Sequence, residues 1–253
     1  MITKTMNLQA VKDLPLGDLE GLALAKAGNV SISELIGELT PFQKARLGKI
    51  TGSQFGRIKR DKTGKGWSEG AESYMSEIIF EWITGMPAID FSGNNATEWG
   101  EKYETEAIRR YEFKTGRKVK RSQFYKAKGF EGLVGCTPDG IGERGLEVKC
   151  PYGPKAHIGT LISGKVPEEY KDQVYGHMLC AERDWCDFVS YDPRMKKRPD
   201  LEMIIIEVEK NFIYMEDLTG RIYDFEQELI KRLDTLEIDW RKGIENDTET
   251  IPV

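Results

Sequence analysis

Thr137-Pro-Asp-Gly-Ile-Gly-Glu-Arg-Gly-Leu-Glu-Val-Lys-Cys-Pro151 is the stretch on which the fold turns. Gly140 to Gly145 match the G-x-G-x-x-G spacing of a dinucleotide fingerprint. That fingerprint needs a helix directly after the glycines, whose N-terminal N–H groups receive a pyrophosphate. Leu146 to Cys150 alternate instead and predict a strand, so the glycines are read as a hairpin turn. On that strand Leu146 and Val148 share one face, Glu147 and Lys149 the other. The turn brings Asp139 back toward Glu147 and gathers two carboxylates and one ammonium. Magnesium is held by one or two carboxylates plus substrate oxygens, so the trio is a sufficient protein share of a phosphoryl-transfer site. An ordinary hairpin with an exposed, salt-bridged face fits the same letters.

Working outward, Thr40-Pro41 opens a helix to about Leu47, and Ser68 to Thr84 predict a longer one with Tyr74, Ile78, Phe80, Trp82 and Ile83 apolar. Thr51 to Gly66 read as a Gly-rich basic connection. A third helix runs from about Thr97 to Thr115 before Gly116, with Trp99, Tyr103, Ala107, Tyr111 and nearby Phe113 as its apolar stripe. Extended runs follow at Lys118–Tyr125, Leu133–Thr137 and Leu146–Cys150. After a helix over Glu168–Ala181 come strands at Asp187–Tyr191 and Met203–Val208, and residues 215–243 end in an acidic helix. This order predicts an α/β fold, a mixed sheet flanked by helices.

The 253 residues suit one large core with additions. At 39% hydrophobic and 31% charged the chain is globular rather than disordered. Its apolar runs, such as Met203–Ile206, fall far short of the ~20 residues of a membrane span. Residues 1–14 offer no apolar secretion core, so a cytoplasmic location and no membrane partner are expected. Cys136, Cys150, Cys180 and Cys186 form no Cys-x-x-Cys pair and are read as packing. The net charge of -5 is uneven. Residues 1–40 carry three Lys against five acids, and residues 200–253 carry six basic against fifteen acidic, which leaves the middle basic. Arg57–Lys65 and Arg109–Lys128 concentrate that charge, as a nucleic-acid footprint would. No Gly-Lys pair precedes Ser or Thr, which excludes a P-loop.

The pattern P-D-G-x6-E-V-K resembles the PD-(D/E)XK nuclease signature. The surrounding residues are similar to one branch of it, the phage lambda exonuclease or YqaJ-type viral recombinase family. The likeness is carried by Arg46-Leu-Gly-Lys-Ile-Thr-Gly-Ser53, Trp99-Gly-Glu-Lys-Tyr-Glu104, Thr137-Pro-Asp-Gly140, Leu146-Glu-Val-Lys-Cys-Pro151, Gln173-Val and Tyr191-Asp-Pro-Arg-Met195, over roughly residues 42–243. It implies a restriction-endonuclease-like fold, an exonuclease domain over 41–253 and an N-terminal extension over 1–40 whose amphipathic stretches are Leu14–Ala27 and Ile32–Leu39.

By the same resemblance, Asp139, Glu147, Glu104 and the Val148 backbone carbonyl are implied to hold Mg2+, with Mn2+ as a substitute. Lys149 is implied to position or deprotonate the attacking water, and Gln173 matches the family's helix glutamine. Related nucleases carry a tyrosine four residues later, where this chain has His177. Arg46 and Ser53 align with a 5′-phosphate pocket, Thr137 stands in place of a serine, and Thr97 replaces the apolar residue that wedges into a duplex end. The implied activity is 5′-to-3′ digestion of one strand from double-stranded DNA ends. It leaves 3′ overhangs for a single-strand annealing protein and is carried out by a homotrimer ring. The alternatives are an endonuclease or repair nuclease on the same fold, or a catalytically silent DNA-binding subunit.

Overall fold

The computed structural model describes residues 39–88, 95–121 and 123–244. Leu14–Ala27 and all but the last residue of Ile32–Leu39 lie outside them. In chain order the elements are α1 (Pro41–Arg46), β1 (Ile50–Thr51), a 3-10 turn (Gly52–Arg57), α2 (Glu69–Thr84), α3 (Asn95–Thr115), β2 (Tyr125–Lys126), β3 (Val134–Cys136), β4 (Gly140–Ile141) and β5 (Gly145–Lys149). They continue as α4 (Pro154–Ser163), α5 (Glu168–Ala181), β6 (Trp185–Tyr191), a short 3-10 turn (Pro199–Leu201), β7 (Met203–Glu209), α6 (Phe212–Thr235) and a last turn (Trp240–Lys242). Among the described residues no helix is long and apolar enough to cross a membrane.

The chain divides into two compact units. The first comprises, among the described residues, 39–48, 73–88 and 229–244. Here α1 starts at Thr40, whose side chain and Gln43 cap each other reciprocally. The chain leaves α1 through Gly48, whose φ of +66° and approach to the Trp82 ring leave no room for a side chain. Trp82 Nε1 donates to the Gly48 carbonyl at 3.0 Å, and the Gly48 N–H donates to Glu81 at 2.7 Å. Tyr74, Ile78 and Trp82, four residues apart, are the buried side of α2, whereas Ile83, expected on the apolar side, is exposed.

The second unit holds 49–72, 95–121 and 123–228 among the described residues. A four-stranded sheet has the order β4-β5-β6-β7, with β5 antiparallel to β4 and parallel to β6. Leu146 pairs with Asp187, Glu147 with Phe188 and Lys149 with Ser190. The predicted alternation holds. Leu146, Val148, Val189, Tyr191 and Met203 pack against Ala107 and Tyr111 of α3, with Trp99 and Tyr103 alongside. Phe113, expected near that stripe, is exposed instead. On the opposite face Cys186 and Phe188 pack on Val174 and Met178 of α5. Each such side chain contributes about 1.5–3 kcal/mol through burial, so the two layers fix β5 from both sides. All four cysteines are buried free thiols, in keeping with a packing role.

A second sheet orders β1-β3-β2, with β1 parallel to β3. One expectation changes here. The run Lys118–Tyr125 is not one strand: Lys120 bridges Ile141 alone, and pairing resumes only at Tyr125–Lys126. Helix α4 was not anticipated between the strand at Leu146–Cys150 and the helix at Glu168–Ala181; Pro154 occupies its first turn, where a proline's missing N–H costs nothing.

Candidate active site

The hairpin of β4 and β5 delivers the acidic pair. The Asp139 N–H donates to the Leu146 carbonyl at 3.0 Å, and Val148 N–H donates to Asp139 Oδ2 at 2.6 Å, so the aspartate is tied to the neighbouring strand's backbone. Glu147 is fully buried, on the sheet face that carries Cys186 and Phe188. The exposed salt-bridged hairpin is therefore excluded. Lys149 Nζ stands 2.5 Å from Glu147 Oε1, and His177 Nδ1 3.3 Å from Oε2. Among the described residues neither oxygen receives a hydrogen bond of proper geometry. A carboxylate so enclosed costs several kcal/mol unless a cation compensates it.

The neighbouring groups respond to that charge. Burial, then Glu147 and Glu104, pushes the Asp139 carboxyl well above its ordinary range, against the Val148 N–H bond. Burial and Glu147 raise Glu104 of α3, while Arg121 and Lys149 oppose. Burial alone would discharge Lys149, but Glu147 and Asp139 outweigh it and hold its pKa above the usual lysine value. Burial and the neighbouring acids thus disfavour ionisation of Asp139 and Glu104 around one lysine.

Among the described residues no group of three or more His, Cys, Asp and Glu side chains is placed to cage an ion. A magnesium-type ion that keeps water and phosphate ligands needs only one or two carboxylates, however. The unbonded Glu147 oxygens beside a charge-frustrated Asp139 fit such an ion.

Helix α5 lies over this face. Lys149 Nζ sits 4.9 Å from the Tyr170 ring centroid, and Tyr170 stacks on Phe188. Gln173, three residues after Tyr170 and four before His177, shares their side of the helix. Tyr170 was missed from the sequence; its spacing to Gln173 and His177 was the available signal. Gly176 allows α5 close to the 3-10 turn, since a Cβ there would meet the Phe55 ring at 2.5 Å.

Ser53 and Thr137 both follow the paired strands β1 and β3. The parallel pair matches Ile50 with Val134 and Thr51 with Gly135, and the chain turns from β1 into the 3-10 segment that carries Ser53. The backbones approach closely at that turn, because a Cβ on Gly52 would fall 2.9 Å from Cys136 Cβ. Thr137 Oγ1 is buried without a hydrogen bond. Arg46 belongs to the first unit, where its guanidinium lies 5.0 Å from the Phe42 ring centroid. Thr97 is exposed in the first turn of α3.

Of the basic run Arg109–Lys128, Arg110, Arg117, Lys118 and Lys128 form ion pairs. Arg121 lies close enough to act on Glu104, so the run passes beside the acidic cluster.

A mixed sheet presenting Asp, Glu-x-Lys and a helix glutamate at one hairpin defines the PD-(D/E)XK class of nucleases. Within that class the chain belongs to the YqaJ-like viral recombinase domain family, whose model matches residues 41–184. The alkaline exonuclease LHK-Exo of Laribacter hongkongensis is similar at 30% identity and a TM-score of 0.68, covering 78% of this chain and 96% of that one. The same enzyme in complex with dAMP matches at 30% identity and a TM-score of 0.68, over 80% and 96% of the two chains. A phage-related exonuclease from Haemophilus somnus 129PT, 16% identical with a TM-score of 0.55, covers 73% of this chain and 96% of that one, and shares the fold. No curated protein matches the chain significantly. Family and neighbours together support a nuclease of phage-type recombination. Nucleases of this kind typically depend on a divalent metal.

Proposed function

We propose that the protein is a magnesium-dependent 5′-to-3′ exonuclease on double-stranded DNA ends, leaving 3′ overhangs for a single-strand annealing protein. The observation that carries this reading is the buried Glu147, with Lys149 at 2.5 Å and Asp139 across the hairpin, in a chain similar to alkaline exonucleases. When bound, the divalent ion supplies Lewis-acid polarisation of the scissile phosphate and a more acidic water. Asp139 and Glu147 hold it, with Glu104 and the Val148 carbonyl completing the ligands. Mn2+ suits the same oxygen donors.

Lys149, held protonated by its acidic neighbours, orients the attacking water and stabilises charge growing on the phosphoryl oxygens. Gln173, on the Tyr170 and His177 side of α5, positions that water from above. For the terminal phosphate, the sequence resemblance assigns Arg46 and the Ser53 and Thr137 hydroxyls as ligands of the family's pocket. The unbonded Thr137 hydroxyl supports this assignment, because a phosphate oxygen would satisfy it. Polarity follows from that pocket.

A homotrimer ring around DNA completes the reading, and strict monomer sedimentation at working concentration would remove it. The decisive assay is a time course on end-labelled linear duplex with and without EDTA, beside a covalently closed circle. Loss of 5′ label, halted by EDTA, with the circle intact is the expected result. Cleavage of the circle or digestion from the 3′ terminus would overturn the assignment.

A further inference from the structure

Arg194 lies in the Tyr191-Asp-Pro-Arg-Met195 stretch, which the reaction above leaves unused. Its guanidinium is locked onto the buried Asp192. Nε donates to Oδ1 at 2.8 Å and Nη2 to Oδ2 at 2.7 Å, with the Pro151 carbonyl 3.4 Å from Nη2. This fork engages Nε and Nη2 and leaves Nη1 without a hydrogen bond among the described residues, on a side chain that is 41% exposed. The guanidinium carbon stands 4.7 Å from the Trp99 ring centroid. Trp99 packs on Tyr103 at 4.4 Å and meets Tyr152 edge-on at 5.8 Å. Tyr152, three residues beyond Lys149 in the chain, is 49% exposed, and Trp99 Nε1 is buried with no acceptor among the described residues.

A purely structural aromatic cluster would bury its tyrosine and satisfy its indole N–H. Here a rigid cation with spare donors adjoins an exposed ring, just past the end of the strand that carries Glu147 and Lys149. We propose that Trp99, Tyr152 and Arg194 form a nucleotide subsite flanking the scissile phosphate, Arg194 Nη1 taking a strand phosphate and the Tyr152 ring stacking on the adjoining base. Guanidinium donors and aromatic faces are the two elements by which single strands are held without regard to sequence. The subsite rests on the nuclease reading, since it assigns the strand being cleaved as the occupant.

The test compares binding of a fluorescein-labelled hexathymidylate and an abasic hexamer of the same charge to the full chain in EDTA, by anisotropy. Equal charge cancels phosphate attraction and isolates stacking. The hexathymidylate is expected to bind roughly tenfold more tightly. Tyr152→Ala, a change at an exposed ring, should remove that advantage while leaving abasic binding as it was. Arg194→Lys keeps a cation for Asp192 but loses the fork, and should weaken both oligomers by roughly tenfold.

Equal binding of the two oligomers by the parent, or an advantage that survives Tyr152→Ala, would overturn the subsite. Duplex digestion run in parallel separates the two readings. Cleavage without base preference sinks the subsite alone, whereas base preference without cleavage supports the subsite and sinks the nuclease.

Discussion

Glu147 on β5 and Asp187 on β6 are both fully buried acids on adjacent strands, one register step apart, yet their surroundings are opposite. Asp187 accepts from the Tyr111 hydroxyl at 2.6 Å, Arg117 Nη1 at 2.9 Å and Arg144 Nη1 at 3.1 Å, so both oxygens are bonded. The two arginines reach on to Glu207, which closes the network. Among the described residues Glu147 has the close ammonium of Lys149 and the His177 edge, and neither oxygen has a hydrogen bond of proper geometry. The comparison teaches that burial of a charge does not identify a site. A buried acid whose valences are filled by the protein holds structure, and one whose valences are left open is set for something brought from outside.

Substitution should therefore separate the two acids. Glu147→Gln removes a charge that proposed metal chemistry requires and is expected to slow hydrolysis of end-labelled duplex by about a thousandfold or more. Its effect on stability should be small, because relief of an enclosed carboxylate offsets the loss of Lys149's nearest partner, with Asp139 still beside the ammonium. Asp187→Ala strands two guanidinium groups and a buried tyrosine hydroxyl. The arginines are partly exposed, so the loss falls near the low end for buried pairs, about 3 kcal/mol, measurable as a lower urea midpoint. If Glu147→Gln kept its turnover, or Asp187→Ala its midpoint, the contrast between the two strands would fail.

Smaller effects sharpen the same contrast. Thr137 also has an open buried valence, the Oγ1 hydroxyl. Initial rates on matched duplexes with 5′-phosphate or 5′-hydroxyl ends should show a preference for the phosphate. Arg46→Ala is expected to narrow it by roughly tenfold, Thr137→Val and Ser53→Ala by roughly fivefold or less, since they remove neutral partners. A parent that uses both ends equally would void the pocket.

Glu226 marks the limit of the rule. It is buried, its Oε1 accepts from the Glu131 N–H at 3.0 Å, and its Oε2 is unbonded. Burial raises its pKa, with the Glu131 and Leu133 N–H groups and Lys49 opposing. A raised carboxyl pKa means the native state holds the proton longer than the unfolded chain. The parent should therefore lose stability as pH rises from about 4.3 through the elevated value. Glu226→Gln should flatten that slope in urea titrations and leave duplex digestion unchanged. A loss of digestion would place Glu226 in the site and weaken the contrast.

The candidate site was legible where its residues are contiguous. Asp139, Glu147 and Lys149 lie within one hairpin, and a period of two assigns their faces without tertiary knowledge. The α3 stripe was legible for the same reason, at helical spacing. What that face meets was not, because Tyr170 and His177 arrive from α5 and periodicity cannot tell an exposed face from one covered by a remote helix. Asp187 was invisible as a hub: Arg117 and Arg144 lie 70 and 43 residues away. Helix α4 was hidden by its own start signal, since Gly153-Pro154 marks a loop as readily as a first turn.

The most direct test of the account is calorimetric titration of magnesium into the parent, Glu147→Gln and Asp187→Asn. The account predicts a binding isotherm for the parent and for Asp187→Asn, and no binding heat for Glu147→Gln despite an unchanged fold by circular dichroism. An isotherm in Glu147→Gln equal to that of the parent would contradict it, because the open valences of Glu147 would then hold no ion.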